Sequence, residues 1–133
     1  MNSQLIEVDT SRRQVVDLTP QVEAFCRDLG DGLAHVFALH ATAGVGVMEL
    51  GAGSETDLLG AVDRLLPRDD RYRHRHGTEG HGADHVLPVF VSPSLVLAVL
   101  GGKVQLGTWQ SVVLVDTNRD NPRRTVRLSF VPG

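Results

Sequence analysis

Hydrophobic residues recur at helical spacing in two segments of the chain. In TPQVEAFCRDLG, residues 19–30, the apolar positions are Val22, Phe25, Cys26 and Leu29. In SETDLLGAVDRLLP, residues 54–67, they are Leu58, Leu59, Val62, Leu65 and Leu66. Spacings of three and four residues place such side chains on one face of a helix. The pattern therefore predicts two amphipathic helices, the first capped by Thr19 and ended by Gly30, the second capped by Ser54.

Apolar runs of strand length surround these helices. They cover residues 5–8, 15–18, 33–39, 45–49, 84–91, 94–100, 103–106, 109–116 and 125–131. In the last run Val126, Leu128 and Phe130 alternate with polar residues, as in a strand with one buried face. Strands interrupted by two helices predict an α+β fold on a largely antiparallel sheet. A chain of 133 residues suits a single domain, which we place at 1–133.

Segment 84–91 differs from the other predicted strands because both of its faces are apolar. One face would carry His85, Leu87, Val89 and Val91, and the other Val86, Pro88 and Phe90. Two helices cannot cover a sheet of this size on both sides. We therefore expect a partner subunit to cover the remainder.

Composition and charge narrow the class of protein. The net charge of −3 argues against a general nucleic-acid binder. Cys26 is the only cysteine, which excludes an intramolecular disulfide and a multi-cysteine zinc site. The N-terminus lacks the pattern of a secretory signal. The most apolar stretch, residues 86–100, is interrupted by prolines and is too short to span a bilayer. We expect a cytoplasmic protein with no membrane partner.

Histidines are concentrated in the long polar loop that follows the second predicted helix. The stretch HGTEGHGADH, residues 76–85, holds three of them, and His81 and His85 share strand parity. Imidazole and carboxylate ligands suit a divalent metal ion. Gly80 and Gly82 argue against a helix here, and a solvated glycine-rich loop is the competing interpretation. In RYRHRH, residues 71–76, His74 and His76 favour an anion or solvent over a metal ion, and with the arginines they would bind a phosphate group.

Two further residues lie at predicted strand ends. His40 follows the strand LAHVFAL and opens HATAG, where it would belong either to a site or to a half-buried structural position. Glu49 closes VGVME and would be a metal ligand, a general base or a surface carboxylate. His35, inside its strand, has a structural interpretation.

The motif LGTWQ, residues 106–110, contains the only tryptophan. We expect Trp109 to belong to the core and Gln110, on the opposite strand face, to be free to bind a ligand. Arg123 and Arg124 are interpreted as a solvated pair rather than an anion site.

These motifs together resemble the YjbQ family, small proteins linked to a secondary thiamine-phosphate synthase activity. The resemblance covers nearly the whole chain in order. It rests on HATAG at 40–44, Glu49, DLL at 57–59, the histidine and glycine loop ending in His85, PSL at 93–95, and LGTWQ. LGTWQ is the most specific of these motifs.

The resemblance implies a sheet rolled into a half-barrel with two helices on one side, and a homotrimer. It also implies a site near the histidines that holds a metal ion or an anion, with His40, Glu49 and His85 as its catalytic residues. The cofactor would be a divalent metal ion, zinc or magnesium, and the partner a small phosphorylated metabolite. Candidate substrate-binding residues are Thr42, Arg73, His74 and Gln110.

The sequence departs from the family pattern around these residues. Met48 and Leu50 replace the asparagines that flank the family's glutamate, and Ala52 replaces an aspartate. His81 takes the place of an asparagine, and Asp84 that of the alanine before His85. His40, His81 and His85 would then form an open three-imidazole metal site that favours zinc over magnesium.

Two functions follow from the sequence. The first is a metal-assisted enzyme that joins a pyrimidine methyl diphosphate to a thiazole phosphate and releases pyrophosphate. The alternative is a non-catalytic metal- or anion-binding trimeric module. No serine or cysteine lies beside a base in sequence, so covalent catalysis has no support.

Overall fold

The computed structural model describes residues 1–133 and contains eight strands and three helices. The strands are β1 (Asn2–Asp9), β2 (Val15–Asp17), β3 (Gly32–Ala38), β4 (Gly44–Met48), β5 (Ser94–Leu100), β6 (Lys103–Val104), β7 (Ser111–Val115) and β8 (Arg123–Pro132). The helices are α1 (Thr19–Cys26), α2 (Ser54–Leu65) and α3 (His81–Phe90).

All strand pairs are antiparallel and form two sheets. The larger sheet has the order β1-β8-β3-β5-β6, and the smaller one has the order β2-β7-β4. The predicted α+β fold with an antiparallel sheet in a half-barrel is therefore confirmed. It carries a third helix, α3, which the sequence pattern did not predict.

The main core lies between the two sheets and α1. Its buried members include Val22, Val36, Leu114 and Phe130. A second cluster joins the other face of the smaller sheet to α2 and α3, and includes Val62, Leu87, Val113 and Val115. Both faces of β7 are thus buried, Val112 and Leu114 on one side and Val113 and Val115 on the other. The sequence predicts a strand with two buried faces at 84–91, and in the structure β7 is the strand that has them.

The prediction of a strand at 84–91 is wrong, because residues 81–90 form helix α3. Gly80 precedes the helix with a left-handed backbone, φ 82°, a conformation that glycine adopts without strain. Ala83 and Leu87 lie four residues apart and form the buried side of the helix. A short apolar run is compatible with either a buried strand or a helix, and here the helix covers the smaller sheet.

The two predicted helices are confirmed, although their caps differ from expectation. Helix α1 begins at Thr19 and ends at Cys26, four residues before Gly30. The Thr19 hydroxyl accepts a hydrogen bond from the Val112 N–H at 2.8 Å and does not cap the helix. Helix α2 begins at Ser54 after the left-handed Gly53. No helix of the protein is long and apolar enough to cross a membrane.

The outer face of the larger sheet keeps several large apolar side chains exposed. These are Leu5, Leu33, Val96, Leu100 and Val131. Strand pairing brings four of them together around Leu33, which lies opposite Val131 on β8 and opposite Ala98 on β5, whereas Leu5 lies opposite Arg127. A contiguous apolar face of this kind is typical of an interaction surface.

Candidate metal centre formed by four histidines

Four histidine side chains converge at the start of α3. His74 and His76 come from the loop before the helix, and His81 and His85 from its first two turns. One ligand nitrogen from each lies within 4.8 Å of the others. The Nε2 atoms of His81 and His85 are 2.9 Å apart, because residues four apart share a helix face. We call these four side chains the histidine cluster.

Glycine at position 82 allows the loop to approach the helix closely. A Cβ atom at this position would lie 2.5 Å from Tyr72 Cβ and 2.7 Å from the His74 carbonyl oxygen. The Tyr72 hydroxyl donates to the Pro67 carbonyl at 2.8 Å, which fixes the loop from its other side. The contact at Gly82 therefore places His74 over the first turn of α3.

Asp84, fully buried in α3, anchors the helix to two other segments. It accepts hydrogen bonds from Arg68 Nη1 at 2.5 Å and Nη2 at 3.2 Å, and from Thr117 Oγ1 at 2.7 Å. Asn118 Nδ2 adds a further bond at 3.2 Å. The bond to Asp84 raises the pKa of Arg68, so the guanidinium stays charged. A buried carboxylate with this many donors is a firm support for the helix.

Asp120 supports the cluster from the connection between β7 and β8. Its Oδ2 lies 2.7 Å from Nδ1 of His81, and both of its oxygens accept from the Thr78 N–H. The Thr78 N–H bond, followed by the His81 contact, lowers the pKa of Asp120, so the group is a carboxylate. Metal-bound histidines usually donate their second N–H to such a carboxylate.

The surroundings of two members of the cluster, His74 and His85, favour their neutral form. Loss of solvent contact is the main cause that lowers the pKa of His74 and of His85, and the charges of neighbouring histidines lower it further. Only a neutral imidazole offers the lone pair that binds a metal ion. The donor set of four imidazole nitrogens suits zinc, copper, nickel or cobalt better than magnesium, which prefers oxygen ligands. The residues present therefore fit a transition-metal ion.

The structure brings three of the predicted site residues into the cluster, His74, His81 and His85. His40 lies outside it. The Nε2 atom of His40 accepts a hydrogen bond from the Thr125 N–H at 2.8 Å. Burial, followed by the charge of Arg124, lowers the pKa of His40. The sequence left open whether His40 belongs to a site or to a half-buried structural position, and these contacts support the structural position.

The remaining predicted residues also lie outside the cluster. Glu49 and Arg73 are exposed and Thr42 is buried. Gln110 Oε1 accepts a hydrogen bond from the Gly107 N–H at 2.8 Å, within its own turn. Trp109 is 74% exposed, so its predicted place in the core is wrong.

The expectation of a solvated arginine pair at 123–124 is wrong for Arg124. This side chain is buried and forms two bonds to Asp116, from Nε at 2.7 Å and from Nη2 at 2.8 Å. Thr10 donates to the same carboxylate at 2.6 Å. The pair fixes the beginning of the segment that carries Asn118 and Asp120.

Sequence reasoning missed His76, Asn118 and Asp120 as members or supports of the site. The spacing His-x-His, followed by His-x3-His, is the signal in the sequence for four imidazoles near one point. No local pattern connects Asp120 with His81, because 39 positions separate them and only the fold brings them together.

The architecture and the histidine cluster define a small antiparallel half-barrel with an imidazole-rich centre. The model of the family "UPF0047 protein YjbQ-like" matches residues 4–133. The chain therefore belongs to the UPF0047, or YjbQ-like, family.

Relatives within this family span the same length. UPF0047 protein Rv2556c of Mycobacterium tuberculosis H37Rv is 62% identical over 133 residues, with full coverage of both chains. UPF0047 protein YugU of Bacillus subtilis is 32% identical over 117 residues and covers 86% of each chain.

Solved structures of similar proteins have the same fold. Hypothetical protein APE1520 of Aeropyrum pernix K1 superposes with a TM-score of 0.88 at 31% identity, over 100% of both chains. A YbjQ-like protein of unknown function from Sulfolobus solfataricus P2 reaches a TM-score of 0.89 at 24% identity, covering 99% of this chain and 97% of its own.

Proposed function

We propose that the protein is a metal-dependent enzyme that acts on a small phosphorylated metabolite. His74, His76, His81 and His85 would hold the divalent ion. One observation carries the proposal: four imidazole nitrogens lie within 4.8 Å of one another. His81 is buried and His85 is half-buried, and burial of their polar ring atoms costs free energy that a shared ligand would offset.

The ion would be zinc or another nitrogen-preferring metal rather than magnesium. All four ligands are imidazoles, and the carboxylates Asp84 and Asp120 contact the histidine-bearing segments instead of the ion site. Of the three ligands that the sequence suggested, His81 and His85 remain in this set. His74 and His76 take the place of His40, whose Nε2 accepts from the Thr125 N–H. His74 and His76 are exposed, so one side of the site faces solvent and is accessible to a substrate.

The family resemblance suggests the reaction of a thiamine-phosphate synthase. The thiazole nitrogen would form a bond to the methylene carbon of the pyrimidine methyl diphosphate. The carbon–oxygen bond to the diphosphate would break, and pyrophosphate would leave with that electron pair. A bound divalent ion would neutralise the charge of the departing phosphates. Arg75, which lines the polar cavity beside the cluster, would bind a phosphate oxygen.

A non-catalytic metal-binding module is the alternative, and the shape of that cavity favours it. The cavity holds about 160 Å³ and has no hydrophobic residue in its lining. A pyrimidine or thiazole ring normally binds against apolar or aromatic walls. A module that only binds a metal ion or a small anion needs no such wall.

We further propose that the outer face of the larger sheet is covered by other copies of the chain in a homotrimer. The exposed Leu33, Val96 and Val131 support this assembly. Light scattering should give a mass of about three times 14.4 kDa. A mass of 14.4 kDa at micromolar concentration would contradict the trimer.

The enzyme proposal is tested with metal-stripped protein to which zinc is added back. Release of pyrophosphate is followed with the pyrimidine methyl diphosphate and the thiazole phosphate as substrates. The enzyme proposal expects release that depends on zinc and is lost in the double variant His81→Asn, His85→Asn. Tight zinc binding without pyrophosphate release would exclude this reaction and favour the binding module.

A further inference from the structure

Nδ1 of His81 has two polar neighbours with opposite requirements. Asp120 Oδ2 lies 2.7 Å away and can only accept a hydrogen bond. Asn118 Nδ2 lies 3.0 Å away and can only donate one. A neutral imidazole cannot satisfy both from one nitrogen, so the two contacts correspond to different tautomers of His81.

We propose that Asp120 is a positioning residue that holds His81 as the Nδ1–H tautomer and leaves Nε2 free for a metal ion. The inference rests on the metal-binding function proposed above. A hydrogen bond to a carboxylate is shorter and stronger than one between neutral groups, and the Asp120 contact is the shorter of the two. In the other tautomer, the Nδ1 lone pair would face a carboxylate oxygen at 2.7 Å.

Asn118 has other partners that account for its position. Its Oδ1 accepts from the N–H groups of Asp120 and Asn121, at 2.9 and 3.1 Å, which determines the orientation of the amide. Its Nδ2 donates to Asp84 at 3.2 Å. The amide therefore holds the connection between β7 and β8 in place, and does not depend on a bond to His81.

The pocket around the Asp120 carboxylate is shaped to receive it. A Cβ atom at Gly77 would lie 2.5 Å from Asp120 Oδ2, so any larger residue at this position would displace the carboxylate. The Thr78 N–H and hydroxyl also bond to it, at 3.2–3.3 Å. Asp120 is thus fixed from the segment that leads into α3, on the side of His81 away from the cluster.

The tautomer assigns different roles to the two helical histidines. With the proton on Nδ1, Nε2 of His81 carries a lone pair that can accept from the Nε2–H of His85, 2.9 Å away. His81 is then ready to bind a metal ion through Nε2, whereas His85 can bind through its own Nε2 only after that proton moves to Nδ1. The proposal therefore makes His81 the preorganised ligand of the cluster.

The variants that test this role are Asp120→Ala, Asp120→Asn and Glu79→Ala. Asp120→Ala removes the acceptor. Asp120→Asn keeps the size of the side chain and one neutral acceptor. It therefore shows whether an effect of Asp120→Ala comes from a general disturbance of the loop. Glu79→Ala is the matched control, because it removes an exposed carboxylate two positions before His81 whose side chain makes no hydrogen bond.

The first readout is the tautomer of His81 in metal-free protein, measured by long-range ¹H–¹⁵N correlation NMR. We expect Nδ1–H in the parent and in Glu79→Ala, and a shift toward Nε2–H in Asp120→Ala. The second readout is zinc affinity in competition with a chelator. We expect Asp120→Ala to bind zinc at least tenfold more weakly, roughly the effect of removing such a support, with Asp120→Asn between it and the parent.

Three results would overturn the proposal, the first two by contradicting the role of Asp120 and the third by contradicting the metal centre. An Nε2–H tautomer in a parent that binds zinc, or unchanged zinc affinity in Asp120→Ala, contradicts the positioning role and leaves the metal centre standing. A parent that binds no zinc contradicts the metal centre, and the role of Asp120 with it.

Discussion

The Nε2 atoms of His81 and His85 lie 2.9 Å apart on successive turns of α3. Both rings therefore point to one position, and His74 and His76 of the preceding loop lie at the same position. The arrangement depends on the helix, because a four-residue spacing brings two side chains together directly only when the backbone is helical. On an extended strand the same residues would stand about 13 Å apart.

Replacing His81 with asparagine should weaken zinc binding at least tenfold, since even changes to supporting residues cost roughly that much. Asparagine has a similar size but lacks the imidazole nitrogen. His35→Asn is the control, because His35 lies on β3 and contacts Phe37, away from the cluster. Calorimetric or chelator-competition titrations measure the affinity. Equal affinities of parent and His81→Asn would show that His81 is not a ligand.

Gly82→Ala should separate the loop from α3. Its methyl group would meet Tyr72 Cβ at 2.5 Å, and we expect a loss of about 1–3 kcal/mol in unfolding free energy together with weaker zinc binding. Gly60→Ala is the matched control within α2, where the nearest atom is 3.5 Å away. It should increase stability by about 0.5–1 kcal/mol. Urea unfolding measures both, and a Gly82→Ala protein as stable as the parent would contradict the close contact.

Asp116→Asn should destabilise the protein by about 3–5 kcal/mol, because it leaves the buried charge of Arg124 without its partner. The bidentate bonds at 2.7 and 2.8 Å would be replaced by a single neutral acceptor. Asp69→Asn is the control, since the Asp69–Arg71 pair is exposed and should contribute little. Similar urea midpoints for the two variants would contradict the importance of the buried pair.

His40→Gln should reduce the loss of stability in mild acid. Burial, followed by the charge of Arg124, holds the pKa of His40 below its ordinary value, while Asp116 acts in the opposite direction. The unfolded chain thus binds the proton more readily. The stabilising contribution of neutral His40 is complete above pH about 6.5 and falls as the pH drops from there toward the folded-state pKa.

Glutamine cannot take up a proton in this range and can still accept from the Thr125 N–H. Unfolding free energies at pH about 7.5 and about 5.5 should therefore differ less in His40→Gln than in the parent. The same difference in both proteins would mean that His40 is not responsible for any of the acid sensitivity.

The sequence predicted the fold class and both amphipathic helices because periodic apolar residues report directly on burial. It failed at 84–91, where a short apolar run that follows two glycines does not distinguish a strand from a helix. Gly80 and Gly82 were interpreted as obstacles to a helix, yet Gly80 supplies its left-handed start and Gly82 the room for the loop. Local sequence cannot show a close approach between distant backbones.

The site was predicted in part for the same reason. His81 and His85 are visible as a pair in the sequence, because a spacing of four residues places both on one face of a strand or of a helix, but only the helix brings their rings into contact. His40 lies at a strand end, as predicted, but Thr125 occupies its Nε2 through a pairing between β3 and β8. Arg124 looks like a surface residue until Asp116, eight positions earlier, is placed beside it in the core.

Metal content per chain is the most direct test of the four-histidine centre. Purified protein is dialysed against zinc, passed through a desalting column and analysed by elemental mass spectrometry, beside the double variant His81→Asn, His85→Asn. We predict about one tightly held zinc ion per parent chain, as expected for a single mononuclear site, and none in the double variant. Parent protein that emerges without zinc, or a double variant that retains as much as the parent, would contradict the metal centre.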